Sequence, residues 1–187
     1  TTVLVTETTS TNGGTILLQG DTSLLATVND VNAVNCRWCS VKKAMPFYSN
    51  NPQTAFEALR TYWASRTGEI VVDTSVTLTA NTIIAGSIRF SGGGYLTVDT
   101  LHTVTFSNAV AAEPKHFVFR GAGDYDFNSK SVTLLYPYWF GALGNNSADD
   151  YQEIQKTVDC AIRNKIGVVK LLSGYHLISK GILVRNG

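Results

Sequence analysis

Asp149 and Asp150 are the residues of this chain best suited by type to acid–base work. Glycoside hydrolysis needs one carboxyl group to protonate the leaving oxygen and a second to activate water or attack. Adjacent residues on a helix, however, point about 100° apart and do not face one gap. With Ser147 as N-cap, the pair falls in the first turn of a predicted helix, where negative charge complements the helix dipole. Helix stabilisation is their expected role.

Cys36-Arg37-Trp38-Cys39 has the spacing of half a zinc site or of a redox dithiol. Zinc takes four ligands, and the other candidates, Cys160, His102, His116 and His176, are scattered along the chain. No strand–helix–strand pattern surrounds the pair, so a packed connector is expected. The three histidines sit in or beside strand-like runs, with no Ser or Cys in a nucleophile elbow to complete a triad. Gly121-Ala122-Gly123-Asp124 hints at a phosphate loop, but it lacks the Gly-Lys-Ser/Thr ending and a following helix, and reads as a turn. Tyr136, Tyr138, Trp139 and Phe140 could stack on sugar rings or pack between a helix and a sheet, and packing is the stronger expectation. No catalytic residue, cofactor-binding residue or metal ligand, and no cofactor, is expected.

The elements that position these residues come from a chain of 187 residues with 15 Lys+Arg, 14 Asp+Glu, 44% hydrophobic and 16% charged residues, a balance that folds. A net charge of +1 provides no basic face for a phosphate backbone, so nucleic acid is disfavoured as a partner. Apolar runs such as Ile16-Leu17-Leu18 fall far short of the roughly 18–20 residues that span a bilayer, so no membrane span is expected. No signal-peptide pattern opens at Thr1. Three cysteines are an odd number, which argues against a disulfide framework and suits assembly in a reducing compartment. Abundant Thr, Val, Gly and Asn is the composition of a β-rich protein.

Thr2-Val3-Leu4-Val5-Thr6 and Thr15-Ile16-Leu17-Leu18-Gln19 predict a hairpin through Asn12-Gly13, and residues 29–40 an irregular connector. Met45-Pro46-Phe47-Tyr48 breaks any continuing element. Asn51 as N-cap, Pro52 at the first position and an apolar face of Phe56, Leu59 and Trp63 predict a helix that Gly68 stops. Between residues 69 and 119 lie seven short strands: Ile70-Val71-Val72, Val76-Thr77-Leu78, Thr82-Ile83-Ile84, Ser87-Ile88-Arg89-Phe90, Tyr95-Leu96-Thr97-Val98, Thr103-Val104-Thr105-Phe106 and Phe117-Val118-Phe119. Pieces this short, with Asn, Gly, Asp or Ser between them, predict a solenoid of stacked coils rather than a sandwich. After the aromatic patch at Tyr136, too short for a helix, Ile154, Val158, Ala161 and Ile162 predict a second helix ending at Gly167. Short strands follow at Val168-Val169-Lys170-Leu171, Tyr175-His176-Leu177-Ile178 and Ile182-Leu183-Val184. Each helix thus precedes strands as a cap precedes a coil, and the second coil has barely begun at Gly187.

Trp139-Phe140-Gly141-Ala142, Asp149-Asp150, Ile154-Gln155, and then Gly167, Val169, Leu171, Gly174, Tyr175 and Ile178 resemble the N-terminal cap portion of the pectate-lyase-like, right-handed parallel β-helix family of bacteriophage tailspikes and polysaccharide-degrading enzymes. Residues 69–119, with Gly92-Gly93-Gly94, look like the β-roll preamble of such proteins. The chain departs from the pattern at Gly144-Asn145-Asn146, where Gly-Asp-Gly is usual, at Ala148 in place of Thr, and at Leu172 in place of Pro.

The expected fold is mainly β: a β-solenoid or β-roll segment with short capping helices, leading into the start of a right-handed parallel β-helix. Residues 1–50 form a hairpin and connector and a possible virion-attachment region; residues 51–135, a cap helix and solenoid preamble; residues 136–187, a second cap helix and the first coil. The resemblance implies the virion-proximal part of a tailspike, located on the virion and homotrimeric. It would join a phage tail, baseplate or adaptor protein to a β-helix beyond residue 187 that recognises or depolymerises a host surface polysaccharide. In that family the catalytic carboxylates come from later coils, so the parent protein's enzymatic activity stays open. The alternatives are a secreted bacterial polysaccharide lyase or hydrolase and a non-enzymatic fibre or adhesin module.

Overall fold

The structure, a computed structural model, describes residues 38–64, 68–128 and 131–185, together with the strands β1 (Thr15–Leu18) and β2 (Leu24–Thr27). These two strands pair antiparallel, Thr15 opposite Thr27, so the described partner of β1 follows it in sequence. The run at residues 2–6, the Asn12-Gly13 turn and Cys36 lie outside the described residues.

β3 (Trp38–Ser40) is a strand where an irregular connector was expected, and it pairs parallel with β4 (Glu69–Val72). Ser40 then caps a short helix α1 (Val41–Ala44), its side chain accepting from the Lys43 N–H. The backbone passes without a break into a 3₁₀ turn at Met45–Tyr48, because Pro46 falls in the first turn, where its missing N–H costs nothing. Helix α2 (Pro52–Trp63) begins where the sequence places it. Asn51 accepts from the Thr54 N–H at 3.0 Å, Pro52 is the first residue, and Ala55, Phe56, Leu59 and Trp63 are buried. Trp63 lies so close over Gly68 that a Cβ there would fall 2.1 Å from its ring. A side chain at position 68 would therefore displace the indole from the first strand of the stack.

From β4 onward the strands run β5 (Ser75–Leu78), β6 (Thr82–Ile84), β7 (Ser87–Phe90), β8 (Tyr95–Val98), β9 (Thr103–Phe106), β10 (Val110–Ala111), β11 (Phe119–Gly121) and β12 (Asp124–Phe127). They form three parallel sheets, in spatial order β3-β4-β7-β10, β5-β8-β11 and β6-β9-β12. From β7 onward each strand lies on the one three strands earlier: Ile70 faces Ile88, Val76 faces Leu96 and Ile83 faces Thr105. The result is a mainly β structure, most of its strands in parallel sheets, with a few short helices.

Because the register is kept, inward side chains stand in columns. Cys39, Ile70, Ile88 and Val110 make one, Val76, Leu96 and Phe119 a second, and Ile84, Phe106 and Phe127 a third, all buried. Two of these grow toward aromatic residues along the stack. The column Leu78, Val98 and Gly121 shrinks in the same direction. Gly121 is required twice over: its φ is +88°, and a Cβ would fall 2.2 Å from the Val98 carbonyl oxygen. The strand expected at Phe117-Val118-Phe119 sits two residues later, at Phe119–Gly121, in register with Leu96–Val98. β10 and β12 were not anticipated, since Val110-Ala111 is too short and Asp124-Tyr125-Asp126-Phe127 too acidic to stand out as strands.

The helices close the β6-β9-β12 sheet at both edges. On the β6 side, Arg60 of α2 donates to the Ile83 carbonyl at 3.3 Å. On the β12 side lies α3 (Tyr151–Arg163): Cys160 and Arg163 each donate to the Tyr125 carbonyl at 3.2 Å, while Asn164, just past the helix, accepts from the Phe127 N–H at 2.7 Å. The buried face of α3 is Ile154, Thr157, Cys160 and Ala161. Val158 and Ile162, expected inward, are only half-buried, because the helix is rolled to bring the polar ends of Cys160 and Asn164 onto the strand edge. The strand β13 (Asn145–Asp149) occupies the place where Ser147 was expected to cap this helix, and Asp150 takes the N-cap position.

Phe119 is the hub of the aromatic end of the core. Its ring centroid lies 4.7–6.0 Å from those of Tyr125, Phe140, Phe90, Phe127, Phe106 and Trp139. Phe119→Ala is expected to cost about 3–5 kcal/mol in urea denaturation. A loss below about 1 kcal/mol would show that these rings do not share one packed centre.

Candidate functional site

The residues with the most chemistry meet where the chain leaves the 3₁₀ turn Pro137–Phe140 and enters α3. Asp150 is buried and its carboxylate is fully engaged: Leu143 and Gly144 donate their N–H groups at 2.7 and 2.9 Å, and His176 Nδ1 lies at 2.7 Å. Burial opposes its ionisation, but the two N–H donors and the imidazole outweigh it and hold the carboxyl below its ordinary range. His176, 26 residues away in sequence, sits in β14 (Tyr175–Leu177), which pairs parallel with β13. Its Nε2 is buried without a hydrogen-bond partner, and its ring meets Tyr138 edge-on at 5.5 Å.

Asp149 points the other way, as adjacent residues must. It accepts from the N–H and hydroxyl of Ser179 at 3.1 and 2.5 Å and from the Tyr151 N–H at 3.1 Å, bonds that lower its pKa. The two carboxylates therefore do not flank a gap, and helix stabilisation is only part of their role: Asp150 and Asp149 fasten the segment after α3 to the segment before it. Gln155 adds a third fastening, its side-chain amide accepting from the Leu183 N–H and donating to the Leu183 carbonyl at 2.8 and 2.9 Å, as a neighbouring strand would.

The other candidates are not brought together. Cys39 is buried in the core column with Ile70, and Cys160 is buried with its thiol turned to the Tyr125 carbonyl. Burial pushes that thiol up to about 12, which leaves it inert as a nucleophile at neutral pH. His102 lies in the corner between β8 and β9, and His116 in the loop before β11. Among the described residues, no group of three or more His, Cys, Asp or Glu side chains could hold a metal ion. Gly121-Ala122-Gly123-Asp124 links β11 to β12, and the Gly123 and Asp124 N–H groups donate to the Val98 and His102 carbonyls at 3.0 and 2.9 Å, so this loop presents no cradle of free N–H groups. Tyr138, Trp139 and Phe140 are buried, and the Trp139 indole donates to the Glu113 carbonyl at 2.9 Å, so these rings pack rather than offer a sugar platform.

The Asp150–His176 pair was not legible in the sequence, because a contact across 26 residues leaves no spacing signature. Chemically the pair is a clamp, since no hydroxyl or thiol is hydrogen-bonded to Nε2 for it to activate. Beyond it lies a largely uncovered layer. Val169 pairs parallel with Leu135 and β14 with β13, but of the strands expected after α3 only Tyr175–Leu177 forms. Leu143, Val168, Leu171, Tyr175, Leu177, Ile178, Leu183 and Val184 are exposed.

Asp150 contributes stability that is fully present above the unfolded carboxyl pKa of about 3.9 and is lost as pH falls through its depressed folded value. The wild-type chain should therefore lose stability below about pH 4. Asp150→Asn should cost about 2–4 kcal/mol at pH 7 and flatten that acid limb, Asp149 accounting for the residual slope. Denaturation midpoints taken between pH 3 and pH 7 test this, and an unchanged acid limb in the variant would refute it.

No family model, curated protein or solved structure matched the chain.

Proposed function

We propose that this chain is the virion-proximal part of a phage tailspike or similar receptor-binding tail protein. Its parallel coils form the base of a right-handed parallel β-helix that reads or depolymerises a surface polysaccharide. The observation that carries the reading is the stack itself: three parallel sheets kept in register, with helices laid across strand edges and polar clamps restarting the stack after α3. The uncovered apolar layer from Val168 to Val184 supports it further. An exposed patch of this kind marks an interaction surface, and a further coil laid on it would bury the patch and pair its backbone.

On this reading the role of the segment is mechanical, and chemistry belongs to later coils. Among the described residues no helix is long and apolar enough to cross a membrane. The protein carrying this segment should be a homotrimer that associates with a phage tail, and the segment alone should release no oligosaccharide from any capsule or lipopolysaccharide. Sedimentation of that protein, tail co-purification and a reducing-sugar assay test these outcomes. A concentration-independent monomer that ignores tails, or glycan cleavage by the segment alone, would overturn the reading.

A further inference from the structure

On the outer face of the β5-β8-β11 sheet, Arg120 of β11 is held against two aromatic rings. Its guanidinium carbon lies 3.6 Å from the ring centroid of Tyr95 and 4.5 Å from that of Phe117. Arg60, Arg89 and Arg163 each pair with a carboxylate, Glu57, Glu69, and Asp124 with Asp126 respectively. Among the described residues Arg120 has no such partner, and its Nε is buried without any hydrogen bond. The stack thus holds a rigid, uncompensated cation. A cleft of about 720 Å³ whose lining includes Arg89, Glu113, Lys115 and His116 ends one residue before Phe117 in sequence. Glu69 pairs with Arg89, and Glu113 is the one carboxylate in a lining that also holds Arg89 and Lys115, so the cleft supplies no negative charge in excess for Arg120.

We propose that Tyr95, Phe117 and Arg120 form a preorganised docking spot for a protein segment that presents a carboxylate next to an apolar side chain. Three physical points fix that occupant. A guanidinium satisfies a carboxylate through two in-plane N–H bonds, and stacking has already restricted the rotamers that binding would otherwise freeze. Arg and aromatic residues are the types that carry binding energy at protein interfaces, and Phe117, at 37% exposure, leaves apolar surface beside the cation. The guanidinium also covers a Tyr95 ring face that a sugar would need free for stacking. This docking spot goes beyond the tail reading and does not depend on it.

The test is a titration of the whole chain with a blocked Glu-Phe-Glu peptide, its Gln-Phe-Gln counterpart and a uronic-acid trisaccharide, followed by the NMR signals of the Arg120 side chain and the Tyr95 ring. The acidic peptide should bind saturably, at least tenfold more tightly than the Gln peptide and than the trisaccharide. Arg120→Gln should weaken it at least tenfold. Phe117→Ser should weaken it at least threefold while the amide spectrum stays that of the folded chain, which keeps the test sound if Arg120→Gln perturbs folding. Absence of saturable shifts, equal binding of the Gln peptide, wild-type affinity in both variants, or tighter binding of the trisaccharide would each overturn the proposal.

Discussion

A parallel sheet of only three or four strands, each two to four residues long, has two edge strands against one or two interior ones, and each edge carries N–H and C=O groups that must be paired. That requirement shapes this chain more than any single contact. Within the stack the next coil meets it, with the Val118 N–H reaching the Trp139 carbonyl and the Val110 N–H reaching the Ser131 carbonyl. Where no coil follows at once, side chains take over. The Tyr125 carbonyl is met by Cys160 and Arg163, and the Phe127 N–H by Asn164. An unpaired buried backbone group costs more than a typical surface ion pair contributes. Edge capping is therefore the more important service of Arg163, although it also reaches Asp124 and Asp126.

The same constraint explains the shape of α3. An amphipathic helix that only buried apolar surface would turn Val158 and Ile162 inward. Here Cys160 and Asn164, four residues apart and so on one face, are aimed at the strand edge, and the apolar stripe is rolled aside to allow it. The half-buried stripe adjoins the segment that Gln155 draws in by mimicking a strand neighbour to Leu183. One helix thus terminates one sheet edge and prepares the next layer.

What the sequence disclosed follows from range. Helix α2 was legible because proline and apolar face lie within its 12 residues and the cap immediately before them. Strands β4 to β9 were legible because Val, Ile, Thr and Phe alternate around turn residues. The parallel pairing was only inferable from segment length, since Ile70 and Ile88 carry no mark of being neighbours. β3 was missed because Trp38-Cys39-Ser40 is too short to show alternation and the two cysteines suggested another purpose. The capping of α3 was assigned to Ser147 on residue type alone, whereas Ser147 lies inside β13, which pairs with β14 at Asn145 and Asp149 and leaves Asp150 at the helix start. Local preference yielded to a partner strand some 30 residues away, which is how tertiary pairing overrides propensity.

The Asp150–His176 clamp belongs to the same logic. With α3 inserted, Val169 follows its partner Leu135 by 34 residues, whereas Ile88 follows Ile70 by only 18. A longer excursion makes return to register entropically costlier, though only slowly with length. The larger loss is that a single bridge at Val169 fixes register far less firmly than a four-residue strand. A buried carboxylate with directed bonds to Leu143, Gly144 and His176 supplies the missing specificity, because a slip of one residue would leave Asp150 buried and unpaired. The charge is thus placed where the ladder is weakest, and its burial cost makes alternative registers unfavourable.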